Sequence, residues 1–562
     1  MNRVQRRAHA PLRAAFAWLG SVWCAAAVLP AGAQQPSPTA PPPASQPVVE
    51  RYDYHIVLPD TGTRIAVEAL VQLREPPATD TVAFDLDDAM QVSSVTFACA
   101  ARPVLASFTH AVGRLRVAQA PGAVDRGAMR CILVSYAGTP SDGLIIRTDS
   151  AGRWEAFGDN FPNRARHWLA SMDHPSRKAK VTFRVSAPAG RTVVANGALI
   201  STQPQGDGRA LTTWREDRPL PSYDMVIAAA PLVMTDLGRT ACGLAEDGGC
   251  VPQMVYTAPE QARYMPGAFA RAGDIVAFYA RTVGPYPYEK LAHLQSTTRY
   301  GGMENASAIF YYDRAFRRPN GVDDGLIAHE TAHQWFGNSV TEREWAHVWL
   351  SEGFATFLAA LWAQHAHGDS AYAADMRHNR EAVLKSTSAA TRAVIDSVET
   401  DPNRLLNENS YQKGGLVLHM LRLELGDSTF FAGLRRYYAA HRHANALTQD
   451  LQRAFEEVSG QPLGWFFDQW LRRPGWAEVR TAWAVDGATG RVRLLVDQDG
   501  RFGAYRISLP IDVVDAEGHH TRLVVKVDAV PHASIELPER VQSPASVGCD
   551  RGTILLMVCS AK

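Results

Sequence analysis

Apolar and polar residues alternate along the first half of the chain, and near residue 256 the spacing changes to that of helices. Residues 64–73 (Arg-Ile-Ala-Val-Glu-Ala-Leu-Val-Gln-Leu) alternate well enough for a half-buried strand, and residues 180–185 (Lys-Val-Thr-Phe-Arg-Val) do so more cleanly. Pro188-Ala189-Gly190 and Asn196-Gly197 punctuate these runs as turns. From 256 to 475 the apolar positions recur at helical spacing, in residues 262–283, around 326–336 and in 415–425. Pro285-Tyr286-Pro287-Tyr288 marks a turn before a short strand at 292–294, and Asp427-Ser428-Thr429-Phe430 reads as a cap opening another helix. Strands return at 492–496, 507–514 and 522–527, in an end piece whose size suits a β-sandwich. The pattern predicts an α+β multidomain chain: a β domain over 49–255, a mostly helical domain over 256–475 and a C-terminal β-sandwich over 476–562.

Two segments precede this. Residues 1–33 carry Arg3, Arg6, Arg7 and Arg13, an apolar stretch over 14–29, and Ala31-Gly32-Ala33, which together predict a signal peptide cleaved after Ala33. An uncleaved anchor is the alternative, but an apolar run of about sixteen residues is short for a membrane span. The expected location is therefore exported, periplasmic or secreted, with no stable membrane insertion. Residues 34–48 form a Pro-rich, extended linker.

At 562 residues the chain is long enough for several domains, and 46% apolar with 20% charged residues is ordinary for a soluble globular protein. Lys+Arg and Asp+Glu number 57 each, so no global field favours nucleic acid, and none is expected as a partner. A peptide substrate needs only local charge. Of seven cysteines, Cys24 leaves with the signal. The other six stand in sequence-local pairs, Cys99 with Cys131, Cys242 with Cys250 and Cys549 with Cys559, which in an exported chain reads as disulfides. Local pairing is preferred among about fifteen possible connectivities. None has C-x-x-C spacing, which argues against cysteine-bound zinc.

The chemistry concentrates at His329-Glu330-Thr331-Ala332-His333, followed after 18 intervening residues by Glu352. On a helix, residues four apart share a face, so both imidazoles can grip one ion. His, His and Glu are a recurrent ligand set for catalytic zinc, which keeps a fourth position for water. Glu330 is placed to take a proton from that water. Leu326, Ile327, Ala328 and Ala332 favour the helix, and Gly337-Asn338 stops it. Glu352 sits in a small, apolar, helix-like run (Trp349-Leu350-Ser351-Glu352-Gly353-Phe354-Ala355-Thr356), where an unpaired carboxylate would be costly and a zinc ion removes the cost. Trp345, His347 and Trp349 read as core and supporting residues rather than further ligands.

These residues resemble the aminopeptidase N family of gluzincin metallopeptidases, which includes the leukotriene A4 hydrolases. Gly301-Gly302-Met303-Glu304-Asn305 is similar to the family's G-x-M-E-N exopeptidase motif, with Gly302 where Ala is common. The zinc motif has the family's spacing and extends through Gln334-Trp335-Phe336-Gly337-Asn338. Tyr411-Gln412-Lys413-Gly414-Gly415 resembles the Y-x-K-G segment, and residues 161–168 with 173–178 resemble an amino-domain block. The resemblance implies a saddle-shaped N-terminal β domain, a thermolysin-like catalytic domain and one zinc ion per chain on His329, His333 and Glu352; the larger helical C-terminal domain of many members is expected to be absent here. It implies Glu330 as general base, Tyr411 as hydrogen-bond donor to the oxyanion, and Glu304 as the carboxylate that pairs with the substrate's α-ammonium. The paired glycines Gly301 and Gly302 let backbone approach the peptide closely, with Met303 and Asn305 beside it. Many members place Glu or Gln where Phe161 stands; one of the neighbours Asp159 and Asn160 is the expected substitute.

The expected function is a zinc aminopeptidase acting on peptides with a free N-terminus. A zinc endopeptidase, an epoxide-hydrolysing relative and an inactive peptide-binding scaffold are the alternatives. A blocked N-terminus separates the first from an exopeptidase, and intact Glu330 and Tyr411 argue against the last. No motif specifies an oligomeric state.

Overall fold

The computed structural model describes residues 46–562 apart from 75–80, 100–101, 119–130, 150, 244–248, 317–320, 539–543, 550–551, 553 and 562. The expected signal peptide and nearly all of the linker lie outside the described residues.

Alternating sequence becomes half-buried sheet. In Ile65–Leu73, Ile65, Val67, Ala69, Val71 and Leu73 are buried while Ala66 and Glu68 face solvent. This strand lies inside an eight-stranded sheet, ordered Ala198–Pro204, Arg209–Leu220, Ala179–Pro188, Val49–Val57, Ile65–Leu73, Cys131–Gly138, Met90–Phe97 and Val104–Leu105. Its pairs are antiparallel except Val49–Val57 with Ala179–Pro188. A four-stranded sheet (Thr192–Ala195, Ile227–Ala230, Trp154–Gly158, Leu144–Thr148) and a three-stranded one (Thr81–Asp85, Arg114–Ala118, Phe108–Ala111) complete this β-rich region.

The next sheet positions the site. Its five strands run Val233–Ala241, Cys250–Thr257, Leu291–Ser296, Ala308–Tyr312 and Gly302–Met303. Leu291–Ser296 is parallel to both neighbours and buried at all six residues, as a strand covered on both faces must be. Gly302–Met303 is the outermost strand, paired on one side only. The expected break between 255 and 256 falls inside Cys250–Thr257, because alternation continues through a strand that pairs with both Val233–Ala241 and Leu291–Ser296.

The middle of the chain is helical, with Ala272–Thr282, Asp324–His333, Trp349–His367, Asp369–Lys385, Gly414–Leu425, Asp427–His441 and Thr448–Ser459 as its longer helices. Residues 262–283, read as one helix, form a 3₁₀ turn at Ala262–Tyr264 and helices at Met265–Ala268 and Ala272–Thr282. The interruption follows Pro266-Gly267 and turns Phe269 into the core against His293, Tyr311 and Phe316. Among the described residues no helix is long and apolar enough to cross a membrane.

The end of the chain holds two sheets, His532–Glu536, Val492–Asp497, Ala477–Val485, Met557–Ala561 and His520–Val527, Ile507–Asp515, Pro544–Cys549. Each buries one face, through Val492, Leu494 and Val496 in the first and Leu509 and Ile511 in the second. A disulfide from Cys549 to Cys559 ties one sheet to the other, and a second joins Cys99 to Cys131. The expected Cys242–Cys250 pair is not a disulfide. The register sets Ala241, not Cys242, opposite Cys250, so the two side chains leave opposite faces of the hairpin.

Candidate active site

Asp323 opens the helix Asp324–His333 by accepting the amides of Gly325 and Leu326 at 2.8 and 3.4 Å. Four-residue spacing then stacks His329 and His333 on one face, and the adjacent helix Trp349–His367 brings Glu352 to them. The three donor atoms form a near-equilateral triangle. His329 Nε2 to His333 Nε2 is 3.2 Å, His333 Nε2 to Glu352 Oε2 is 3.3 Å, and His329 Nε2 to Glu352 Oε2 is 3.5 Å. Ligands about 2.0–2.1 Å from one tetrahedral ion stand about 3.3–3.4 Å apart, so the residues fit zinc.

Hydrogen bonding supports the same reading. His333 Nδ1 lies 3.1 Å from the Phe336 carbonyl oxygen, which can only accept, so Nδ1 carries the proton and Nε2 keeps its lone pair. Ser351 Oγ approaches the same nitrogen at 3.0 Å. Two lone-pair atoms, His333 Nε2 and the buried, otherwise unpartnered Glu352 Oε2, thus face each other, and a cation between them relieves the repulsion.

Glu330, one residue along the helix from His329, is buried, and burial lifts its pKa well above the ordinary carboxylate value. Carboxyl oxygens of Glu304 and Glu330 and a ring nitrogen of His333 fall within 4.8 Å of one another. Gly302 makes this crowding possible: a Cβ there would stand 2.3 Å from the Glu330 carboxylate. The strand Gly302–Met303 pairs with Ala308–Tyr312, its outer edge unpaired among the described residues, and delivers Glu304 to the end of the site. Glu304 is raised by burial, with the push of Glu352 and Asp159 added. Gly301 accepts the Tyr312 amide at 3.1 Å, and Asn305 accepts the Ala308 amide at 2.9 Å, so the two ends of the motif are tied to its neighbour strand.

Tyr411 stands in a π-helical turn, Asn409–Lys413, that leads into Gly414–Leu425. Its ring stacks on His329, centroids 6.2 Å apart and planes 13° apart. Burial holds the phenol well above 10, so it stays a neutral donor. The turn is fastened by Asn409, whose Nδ2 donates to the carbonyls of Ser388, Arg392 and Ala393 at 3.2–3.3 Å.

Asp159 and Asn160 are otherwise engaged. Asp159 meets Arg164 at 2.7 Å and Arg299 at 3.6 Å. Asn160 is fully buried; its Nδ2 donates to Met225 and Ser222 carbonyls at 2.6 and 3.4 Å, and its Oδ1 accepts the Trp168 indole at 2.8 Å. As a binder of the substrate amine Asn160 is therefore corrected to a brace inside the β-rich region. Phe161 packs edge-on against Tyr223 and Trp345, which is why an apolar residue stands there. His347 and Trp349 both bond Thr448 Oγ1, at 2.8 and 2.9 Å, and are not ligands. Sequence reasoning missed the Phe336 carbonyl and Ser351 as supports of His333; a backbone carbonyl has no sequence signature, and Ser351 is marked only by lying beside Glu352. It also missed Tyr223 and Lys178, which donate to the Gly337 carbonyl at 3.0 Å and to the Asn338 and Ser339 carbonyls at 2.8 Å each, fastening the β-rich region to the turn after His333.

The chain is similar to known peptidases. The peptidase family M1 domain matches residues 269–470 and the peptidase M1 N-terminal domain residues 140–223. A probable aminopeptidase 2 of Sulfurisphaera tokodaii is 26% identical over 369 residues, 62% of this chain and 45% of that protein. A leucyl aminopeptidase of Saccharolobus solfataricus is 26% identical over 366 residues, 62% and 43% of the two chains. The tricorn protease-interacting factor F2 of Thermoplasma acidophilum is 31% identical over 266 residues, 44% and 33%. The chain thus spans under half the length of these relatives. Among solved structures, Legionella pneumophila aminopeptidase A superposes with a TM-score of 0.77 at 17% identity, over 92% of this chain and 60% of that one. An M1 zinc metallopeptidase mutant from Deinococcus radiodurans gives 0.62 at 24% identity, over 75% and 94%. At such identities these two show a likeness of fold.

Proposed function

The chain belongs to peptidase family M1, and on that premise we propose that it is a zinc-dependent aminopeptidase, cleaving the N-terminal bond of peptides that carry a free amine. The observation that carries this is the buried Glu304 carboxylate at the end of an open edge strand, within 4.8 Å of Glu330 and His333 atoms.

In this reading His329, His333 and Glu352 hold one zinc ion per chain. When bound, zinc lowers the pKa of water and polarises a carbonyl. The substrate's main chain pairs with the free edge of Gly302–Met303, as strand addition allows. Glu304 accepts its α-ammonium, which fixes the scissile bond one residue in. Glu330, raised by burial, accepts a proton from the attacking water and hands it to the departing amine. Tyr411 donates a hydrogen bond to the oxygen on which charge develops.

A division into residues 49–255, 256–475 and 476–562 belongs to the same proposal, with its first junction drawn back to about 232, ahead of the five-stranded sheet. Export is supported by the two disulfides.

The test is hydrolysis of a panel of aminoacyl-arylamides, with chelator and with zinc restored. Zinc-restored release is the expected result; no release from any member while zinc is shown to be bound would overturn the aminopeptidase reading.

A further inference from the structure

The turn that follows His333 touches both halves of the site. Gln334 Nε2 donates to the main-chain carbonyl of Glu304 at 2.7 Å, and Asn338 Nδ2 donates to the same oxygen at 2.8 Å. Gln334 Oε1 accepts the Ser307 amide at 2.8 Å, so one side chain spans the turn from Glu304 to Ser307. Both amides are fully buried. The same turn supplies the Phe336 carbonyl to His333 Nδ1, and the Asn338 amide donates to the His333 carbonyl at 3.1 Å.

A carbonyl oxygen has two lone pairs, and here both are filled by side chains lying one and five residues beyond a metal ligand. The edge strand itself is only two residues long and ends at Met303, so its ladder does not fix Glu304. The pair of amides holds that residue's own carbonyl, and with it the direction of its carboxylate. Five residues therefore link the orientation of a ligand imidazole to the placement of the group that closes the cleft.

We propose that Gln334 and Asn338 are positioning residues that set the spacing between the metal centre and Glu304, and thereby the preference for substrates with a free amine one residue from the cleaved bond. The proposal rests on the reading of Glu304 as the amine anchor. It separates the two amides from ordinary core residues: loss of a core residue weakens every ligand alike, whereas loss of the spacing weakens only ligands that reach Glu304.

The experiment uses the zinc-loaded full chain and two inhibitors, an α-amino hydroxamate and its counterpart lacking the amine. Inhibition constants, zinc content and Tm are measured for wild type, Gln334→Met, Asn338→Ser and Glu304→Ala. Each hydrogen bond removed is expected to weaken the amino hydroxamate by about fivefold, with the amine-free inhibitor changed less than about twofold and zinc content unaltered. If Gln334→Met does not fold, Asn338→Ser carries the same comparison. Should Glu304→Ala abolish the discrimination while both amide variants keep it in full, or lose both inhibitors equally, the positioning role is overturned and the anchor reading stands. Should Glu304→Ala itself keep the discrimination, the anchor reading falls and the positioning role with it.

Discussion

Gly353 and Gly414 meet backbone to backbone: a Cβ built on either would stand 2.9 or 3.0 Å from the other's Cα. Gly353 follows Glu352 of the candidate metal site, and Gly414 follows the π-helical turn that carries Tyr411. Two helices that present different chemical groups are thus brought backbone to backbone, and the phenol reaches the imidazole of His329. Any side chain at this crossing moves one helix away from the other.

Gly414→Ala tests that crossing. Overpacking of this kind costs about 1–3 kcal/mol, and the displacement acts on Tyr411. A lower Tm together with a reduced kcat is expected. A Tm and kcat equal to wild type would show that the crossing has slack.

Glu330→Gln keeps the shape of the side chain and removes the proposed base. Zinc content by metal analysis should be unchanged, while kcat falls by about 10²–10⁴. Retained turnover would assign the proton transfer to another group.

Tyr411→Phe removes one hydroxyl and leaves the ring stacked on His329. Loss of an oxyanion donor lowers kcat by about 10²–10³, with KM little changed. A KM effect without a kcat effect would make Tyr411 a substrate-binding residue instead.

Lys413 supplies a pH dependence. Its ammonium is buried, donates to the Arg473 carbonyl at 3.3 Å, and is pushed down by burial to about 7, against 10.5 in an unfolded chain. Between those values the unfolded state binds the extra proton, so this group's contribution to stability rises with pH through that window and is lost as pH falls to 7. The stability advantage of Lys413→Met over wild type should therefore be greatest near pH 7 and shrink towards pH 10. Chemical denaturation at both values checks it; an advantage independent of pH would contradict the burial cost.

Non-reducing peptide mapping should recover Cys99 linked to Cys131 and Cys549 linked to Cys559. With a sequence separation of 32 residues, Cys99→Ser combined with Cys131→Ser is expected to cost about 2–4 kcal/mol.

How much of this was legible in the sequence depends on whether a feature is local. The helix under His329 and His333, the ligand spacing to Glu352 and the alternation in Ile65–Leu73 are written in short-range periodicity, so they could be read directly. Asn160 could not: nothing near it in sequence says that Trp168, Ser222 and Met225 close around its amide. Cys242 and Cys250 are neighbours in sequence, yet a one-residue register decides that their side chains diverge. Gln334 and Asn338 were visible as an extension of the metal motif, but what they hold is the Glu304 carbonyl, about thirty residues away along the chain, and only folding reveals it.

The five-stranded sheet also governs how the chain can be dissected. A piece starting at residue 256 would lose Val233–Ala241 and nearly all of Cys250–Thr257, stripping Leu291–Ser296 of one partner. An apolar strand made into a bare edge invites pairing between copies and aggregation. A soluble fragment carrying His329, His333 and Glu352 must therefore begin ahead of Val233.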